Sequence, residues 1–349
     1  FILLFSPAGF LSDKYPKNFV MRLSAWAAVV CTILITLFYY LGWFWPAFTM
    51  TFLLAMQSAF YSPAKYGYIK ELVGKDKLTV ANGVVQATTT IAILSGIFIY
   101  SVLFEQRLSG VDYASKSDVL KAIAPLGWFL ILNALIELGT SYMLPQKHAV
   151  DESMNFDIEQ YKSGSYLRNN LNTVLKHEII LLSIIGLSIF WAISQVMIAA
   201  LPVSAEETML MSNTAVIQGM MACAGIGIMI GSLIAGRISK NHIETGMIPI
   251  GSFGVAATLM ILPSLESTTL LILNFIALGI FGGLFIIPLN ALIQFHAGEH
   301  KLGRVLAANN LIQNVVMLSF LGLTVVFAYF GIGSTGLFAI LSIVAVGGA

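Results

Sequence analysis

Two short patterns recur along this chain at one and the same separation. The segment 81–86, ANGVVQ, recurs at 308–313 as ANNLIQ, and the segment 9–12, GFLS, recurs at 236–239 as GRIS. Both pairs are offset by 227 residues (308 − 81 and 236 − 9). Because two unrelated segments share one offset, the sequence indicates a parallel duplication, which in a hydrophobic chain is typical of transporters built from two similar halves.

The composition indicates that lipid, not water, surrounds most of the chain. Of 349 residues, 58% are hydrophobic and only 10% are charged, which is too little charge to cover a soluble protein of this size. The net charge of +1 and the lack of a basic patch argue against a nucleic-acid partner. The two cysteines, Cys31 and Cys223, lie in apolar runs and are interpreted as small buried hydrophobic residues.

Eleven apolar runs approach the length of about 20 residues that a membrane-spanning helix needs, with the first and last cut short. The runs are 1–11, 19–41, 46–62, 81–104, 122–144, 178–201, 214–236, 246–263, 269–294, 305–330 and 336–349. They predict an all-α, polytopic membrane protein.

The repeat predicts how the helices are divided between the two halves. The offset of 227 places run 1–11 at the second helix of a six-helix half, so we expect a first helix to precede the chain and the last helix to be truncated. The predicted organisation is a first bundle at 1–144 (helices two to six), a linker at 145–177 and a second bundle at 178–349 (helices seven to twelve). The linker is the one long polar stretch, with Asp151 and Glu152 among its acids, and a solvated connector is favoured over a partner-binding segment.

Lysine and arginine fall unevenly on the two sides of the predicted spans. Fifteen lie on one side and three on the other; the three are Arg107, Lys116 and Lys121. Because cytoplasmic loops carry the excess of positive charge, the richer side, which includes the linker, is predicted to be cytoplasmic.

The segment GFLSDKYPK at 9–17 resembles the cytoplasmic loop signature of the major facilitator superfamily and departs from it at Pro16, where the family has glycine. The resemblance implies two six-helix bundles and a gating role for Gly9, Asp13, Lys14 and Lys17. A carboxylate at 13 is placed to meet the positive end of a helix from the other half, here starting near Leu302. The alternative is a solvated turn. In the second copy the aspartate position holds Lys240, so the contact would be asymmetric.

Further segments resemble the bacterial lysophospholipid transporters, whose membrane domain is also found fused to acyltransferase and acyl-carrier-protein synthetase modules. The segments are AFYSPAKYGYI at 59–69, ANG at 81–83, IAILSG at 91–96, SIFW at 188–191 and IPLNAL at 287–292. The resemblance implies that the chain moves lysophosphatidylethanolamine and related lysolipids across the inner membrane, where an acyltransferase would reacylate them.

A lysolipid requires a cation or amide donors for its phosphate, an anion or aromatic face for its ammonium group, and an apolar flank for its tail. Lys65 is a candidate phosphate partner, with anchoring to lipid head groups as the alternative. Tyr66 of the same segment is assigned to the substrate site. Glu137, a carboxylate well inside a span, is a candidate for proton coupling or ammonium binding, or is protonated against Asn133.

Amides inside the spans complete the candidate substrate site. Asn82 and Gln86 share a helix face, Asn309 and Gln313 repeat the pair, and each pair either joins the two halves or lines a polar cavity. The remaining candidates lie on helices that line the cavity in related transporters; they are Gln57, Gln195 and Asn290.

No catalytic residue, metal site or cofactor is predicted. The segment HAGEH at 296–300 matches a zinc-protease pattern, but Gly298 and Gly303 interrupt the helix that such a site needs. No phosphate-binding Gly-Lys-Ser/Thr loop is present to couple transport to ATP. The alternatives to a lysophospholipid transporter are the membrane domain of a bifunctional transporter and acyltransferase, and an exporter of amphiphilic drugs.

Overall fold

The computed structural model describes residues 4–109, 115–145, 155–207, 214–240 and 242–348, so Asp151 and Glu152 of the predicted linker lie outside the described residues. Within these ranges the chain forms α-helices and short 3-10 turns and no β-strand. The helices are α1 Phe5–Lys14, α2 Lys17–Leu41, α3 Phe44–Val73, α4 Leu78–Leu108, α5 Lys116–Ile123, α6 Gly127–Tyr142, α7 Ile158–Lys162, α8 Ser165–Leu175, α9 Glu178–Glu207, α10 Thr214–Ile238, α11 Met247–Ile261, α12 Thr268–His296, α13 Leu302–Tyr329 and α14 Ser334–Val346.

The apolar runs fall in helices, but fewer helices than predicted are long and apolar enough to cross a membrane. Among the described residues there are eight: α2, α4, α5 continued into α6, α9, α10, α11 with its 3-10 extension, α12 and α13. The other three predicted runs also fall in helices. The two terminal runs, expected to be cut short, form α1 and α14, which have 10 and 13 residues. The run 46–62 lies in α3, a helix of 30 residues that continues beyond the run through Lys65, Lys70 and Glu71.

Local sequence fixes several helix ends. Helix α2 ends where Gly42 adopts φ 69°, and the Gly42 N–H donates to the carbonyl of Tyr39 at 3.0 Å. Helix α5 begins with a capping box, in which the Ser115 hydroxyl accepts from the Asp118 N–H and the Asp118 carboxylate accepts from the Ser115 N–H. Pro16, the departure from the loop signature, immediately precedes α2 with φ −53°, an angle suited to the start of a helix.

The chain divides into two compact units, each assembled from several segments. Unit 1 comprises Phe1–Glu71, Ser95–Asn172 and Gly298–Ala308. In this unit α2 packs along α6 through small side chains, so the two helices approach closely. The buried cluster between these helices consists of Ala25, Ala28, Val29, Ala134 and Leu138.

Unit 2 comprises Leu72–Leu94, Thr173–Ala297 and Asn309–Ala349, and α12 is its central helix, with α10, α11 and α9 packed against it. The α10–α12 contact joins two GxxxG patterns, Gly227 and Gly231 on α10 with Gly279 and Gly283 on α12. A Cβ atom added at Gly279 would overlap the carbonyl oxygen of Ala224. The two backbones are therefore as close as glycine allows.

We expect Gly279→Ala to lower the thermal unfolding midpoint of the purified protein, because overpacking of this kind costs about 1–3 kcal/mol. Gly96→Ala in α4 is the matched control, since nothing lies within 4 Å of a Cβ atom added there. Alanine favours a helix over glycine by up to about 1 kcal/mol, so the control should unfold at the same or a higher temperature. Equal midpoints for the two variants would contradict the close packing.

Candidate functional site

The Asp13 carboxylate lies at the N-terminus of α13 within unit 1. Its Oδ1 accepts from the Gly303 N–H at 2.7 Å, and its Oδ2 accepts from the Arg304 N–H at 3.2 Å. Arg304 Nε lies 3.3 Å from the same Oδ2, and the Asp13 side chain is fully buried. The first backbone N–H groups of a helix have no partner within the helix and carry partial positive charge, so this carboxylate complements them.

Gly9, one turn before Asp13, makes this approach possible. A Cβ atom added at Gly9 would lie 3.0 Å from the Cα of Arg304 and 3.1 Å from the Cβ of Ala307. A side chain at position 9 would therefore press α1 away from α13, beside the Asp13–Gly303 hydrogen bond. Helix α13 begins at Leu302, where the sequence placed it.

The two lysines of the loop signature have different surroundings. Lys17 is only 1% exposed and its ammonium forms an ion pair with Glu71 at the end of α3. Its side chain runs past Gly67, where an added Cβ would lie 2.6 Å from the Lys17 Cε. Lys14 lies over the rings of Phe10 and Tyr15, with its Nζ at 5.9 and 5.6 Å from the ring centroids. Glu71 was not among the residues predicted from the sequence, although it lies just beyond the segment 59–69 that contains Lys65.

Burial raises the pKa of Asp13 from 3.8 to about 6, and the backbone hydrogen bonds and the charges of Arg304 and Lys17 oppose that rise only in part. Asp13 lies beyond the apolar run 1–11, outside the spans. Since the pKa is higher when the carboxyl is buried, the buried form takes up a proton between pH 4 and 6 more readily than an exposed carboxyl. Acid therefore favours the Asp13–α13 contact relative to a state in which Asp13 is exposed.

We expect the stability difference between the wild type and Asp13→Asn to depend on pH. The free energy of unfolding of the wild type, relative to the variant, should be about 1.4 kcal/mol lower at pH 8 than at pH 5, because the folded state binds the extra proton only at the lower pH. Thermal unfolding of both proteins at pH 5, 6, 7 and 8 measures this difference. Parallel pH profiles for the two proteins would show that the pKa of Asp13 is not raised.

In unit 2, the second copy of the pattern makes the equivalent backbone contact. Gly236, which corresponds to Gly9, lies against α4, where an added Cβ would be 3.3 Å from the Cα of Val80. A Cβ atom at Gly83 would lie 2.5 Å from the carbonyl oxygen of Ser232. Both copies therefore bring a glycine onto the start of another helix, but Lys240 replaces the carboxylate in the second.

Asn82 of α4 is joined to α12 through a pair of amide hydrogen bonds inside unit 2. The Asn82 Nδ2 donates to the Gln294 Oε1 at 2.8 Å, and the Gln294 Nε2 donates to the Asn82 Oδ1 at 3.0 Å. The two side chains are 2% and 1% exposed, so each satisfies polar groups of the other that water does not reach. Gln294 was missed in the sequence, although it lies one helical turn after the predicted Asn290.

We expect Gln294→Leu to lower the free energy of unfolding by about 1–3 kcal/mol, because it leaves the buried Asn82 Oδ1 without its donor, while the Asn82 Nδ2 keeps the Leu78 carbonyl at 2.9 Å. The double variant Asn82→Leu and Gln294→Leu should lose less than the sum of the two single variants, since it removes both polar groups. A double-mutant cycle measured by chemical or thermal unfolding gives this coupling. Additive effects would mean that the amide pair contributes nothing to stability.

The other predicted amides are held mainly within single helices or between neighbours. Gln57 donates from Nε2 to the Ser24 carbonyl at 2.8 Å and joins α3 to α2 in unit 1. In unit 2, Gln313 donates to the Asn309 Oδ1 at 2.8 Å and Asn290 donates to the Ile286 carbonyl at 3.0 Å. Gln86 lies 3.4 Å from the Thr90 hydroxyl of its own helix. Gln195 is half-buried on α9.

Lys65 and Tyr66 lie together near the end of α3, both half-buried. The Lys65 Nζ is 5.6 Å from the centroid of the Tyr66 ring. Glu137, half-buried on α6, interacts electrostatically with Tyr61 of the same α3 segment. The Asn133 Nδ2, one turn before Glu137 on α6, donates to the Tyr100 hydroxyl at 3.1 Å.

Unit 2 contains an apolar cavity of about 220 Å³ among α9, α10, α11 and α12. Phe190, Trp191 and Met197 of α9 and Phe275 of α12 are among the residues that line it. The Ser194 hydroxyl, also in the lining, donates to the Phe190 carbonyl of its own helix at 3.0 Å. The cavity exceeds the roughly 150 Å³ that accommodates a benzene molecule in an apolar protein interior, and its lining suits hydrocarbon.

The described part of the linker folds into α7 and α8 and contacts α1. Phe156 stacks on Tyr166 with ring centroids 5.2 Å apart, and both rings lie edge-on to Phe10 at 5.1 and 6.4 Å. Asn170 and Val174 of α8 are buried. The linker therefore packs beside the segment that carries Asp13 as well as connecting the predicted bundles.

Comparison with known proteins identifies the family. A family model described as the Major Facilitator Superfamily matches residues 1–321. The chain belongs to the major facilitator superfamily, and its all-α, polytopic architecture is the fold of that family.

The individual relatives described next are less than 30% identical to this chain. The chain is 28% identical to the "Lysophospholipid transporter LplT" of Photorhabdus laumondii over 327 residues, which cover 93% of this chain and 75% of the relative. It is 29% identical to the protein of the same name from Klebsiella pneumoniae over 276 residues, which cover 78% of this chain and 64% of that relative. The crystal structure of the E. coli fucose:proton symporter, FucP, is similar with a TM-score of 0.74 at 13% identity, over 100% of this chain and 88% of that one.

Proposed function

We propose that this chain is a secondary transporter that moves lysophospholipids across the bacterial inner membrane by alternating access. The observation that carries the proposal is the relationship, along 93% of the chain, to a protein named as a lysophospholipid transporter. Membership of the major facilitator superfamily supports transport as the activity. The substrate class and the mechanism are the steps that the proposal adds.

Two features of the structure, each taken by itself, match one part of a lysolipid. In unit 1, the Lys65 ammonium near the Tyr66 ring offers a cation to a phosphate and an aromatic face to an ammonium group. In unit 2, the apolar cavity among α9, α10, α11 and α12 suits a single acyl chain. Glu137, close enough to Tyr61 for an electrostatic interaction, is the proposed partner of a proton or an ammonium group.

The predicted amides are proposed to serve the same site in different ways. Asn82 is held by Gln294 and so keeps α4 on α12. Half-buried amides on the spans offer polar groups to a head group during passage. These are Gln57, Gln86, Gln195, Asn290 and Gln313, with Asn309 holding Gln313 in place.

The Asp13–α13 contact is the proposed gate of the transport cycle. Its buried carboxylate accepts from the Gly303 N–H at 2.7 Å and the Arg304 N–H at 3.2 Å, and both bonds stabilise the state in which α1 lies against α13. Passage to the alternate state would expose Asp13 and break both bonds. Gly9 permits the contact, Lys17 orders the turn through Glu71, and Lys14 packs over Phe10.

The distribution of positive charge supports an orientation in which the linker 145–177 is cytoplasmic. With this orientation the Asp13–α13 contact closes the cytoplasmic side. An acyltransferase is the proposed partner that consumes the delivered lysolipid. A bacterial inner membrane is the proposed location, in keeping with the bacterial relatives.

Uptake by spheroplasts tests the proposed substrate. Cells that carry the gene should take up radiolabelled lysophosphatidylethanolamine faster than cells that lack it. A fluorescent cationic dye serves as the comparison substrate. Equal lysolipid uptake in the two strains, or export of the dye alone, would refute the proposal and favour an exporter of amphiphilic drugs.

We expect Lys65→Ala to reduce lysolipid uptake by about tenfold or more at normal expression, because loss of a charge-assisted contact to the phosphate costs roughly 1.5–3 kcal/mol. Lys121→Ala, at an exposed lysine of α5, is the matched control and should transport as the wild type does. Membrane-fraction immunoblots establish equal amounts of protein. Unchanged uptake in Lys65→Ala would make Lys65 an anchor to the membrane surface.

A further inference from the structure

The duplicated halves differ in charge at one equivalent position. The offset of 227 residues pairs Asp13 with Lys240 and also pairs Lys77 with Arg304 (240 − 13 and 304 − 77). In the first copy the Asp13 carboxylate meets Arg304, and the two charges compensate each other. In the second copy both equivalent residues are cations.

The second-copy cations share a cleft in unit 2, between the start of α4 and the end of α10. The cleft has a volume of about 580 Å³. Its lining is Lys77, Val80 and Val84 from one side and Leu233, Gly236, Arg237 and Lys240 from the other. The three basic side chains are exposed, and no carboxylate of the described residues belongs to this lining.

The acids nearest to these cations along the chain, Glu244 and Asp76, do not line the cleft. The Glu244 carboxylate accepts from the Gly246 N–H at 3.1 Å and lies 3.3 Å from the His242 Nε2. Asp76, next to Lys77, is exposed and does not line the cleft. The contact between Gly236 and Val80 brings the two helices close together in this structure, so the cations lie near one another. An anion from outside the protein is therefore the natural complement.

The wall of the cleft specifies what kind of anion fits. Below the basic rim, Val80, Val84 and Leu233 continue along two membrane-spanning helices, and Val84 and Leu233 are 50% and 39% exposed. The rim lies at the ends of these two apolar helices, where the head groups of a surrounding bilayer are expected. A ligand that is anionic at one end and apolar along its length satisfies both parts, whereas free phosphate satisfies only the rim.

We propose that this basic cleft binds the phosphate of an anionic phospholipid such as phosphatidylglycerol, with an acyl chain lying along Val80, Val84 and Leu233. The bound lipid supplies at the second copy the negative charge that Asp13 supplies at the first. It holds α4 against α10 from outside and is not the transported molecule. The proposal is independent of the transported substrate, because its residues are not those of the proposed lysolipid site.

Native mass spectrometry of the detergent-purified chain tests the proposal, with dioleoylphosphatidylglycerol as the probe. The triple variant Lys77→Gln, Arg237→Gln and Lys240→Gln should bind this lipid about tenfold or more weakly than the wild type, because each basic residue near the head group adds to the attraction. The matched control, Lys121→Gln, Lys162→Gln and Lys176→Gln, removes the same charge at exposed lysines elsewhere. It should bind as the wild type does.

A single substitution keeps the test decisive if the triple variant folds poorly. Lys240→Asp places in the second copy the carboxylate that the first copy has, so it should weaken phosphatidylglycerol binding, whereas the control Lys162→Asp should not. Thermal unfolding establishes that both proteins are folded. The comparison of Lys240→Asp with Lys162→Asp tests whether the absence of a carboxylate at position 240 creates the lipid site.

Three outcomes would overturn the proposal. One is equal binding of phosphatidylglycerol by the wild type and the folded variants. Another is equal binding of dioleoylphosphatidylcholine or lysophosphatidylethanolamine, which would remove the requirement for a net negative head group. The third is displacement of the lipid by an equal concentration of inorganic phosphate, which would identify a simple anion site.

Discussion

The close approach of helix backbones at glycine is the constraint on which this structure depends. In lipid, apolar side chains gain little by leaving their surroundings, so helices associate through tight packing and buried polar contacts. Gly279 and Gly283 against α10, Gly9 against α13 and Gly236 against α4 provide that packing. The polar contacts are added where the backbones are already close, as at Asp13, whose carboxylate accepts from the Gly303 N–H one turn from the close approach of Gly9.

Much of the fold could be predicted from the sequence, because a long apolar run is a strong indication of a helix. The predicted runs fall in helices, and the start of α13 near Leu302 followed from the repeat and the loop signature. Helix ends were harder to predict. The apolar run 46–62 forms only part of α3, which continues through Lys65, Lys70 and Glu71 to Val73, and the two terminal runs, expected to be cut short, form the short helices α1 and α14.

The candidate site was less predictable, because partners far apart in sequence decide what a polar side chain does. Asn82 was recognised, but its partner lies 212 residues away in Gln294. Helical spacing offered Asn133 as one alternative partner of Glu137, but it gave no indication that the Asn133 Nδ2 donates to Tyr100, 33 residues away. Spacing within one helix finds residues that share a face, but it does not reveal which neighbouring helix that face meets.

The burial of Lys17 limits how this turn can change during evolution. Its ammonium is withdrawn from water and compensated by Glu71, so replacing Glu71 alone leaves a buried positive charge without its counter-charge. Glu71 itself is partly exposed, so water can solvate its carboxylate when Lys17 is replaced. The order of mutational steps therefore matters: a path that changes position 17 before position 71 avoids the costly intermediate.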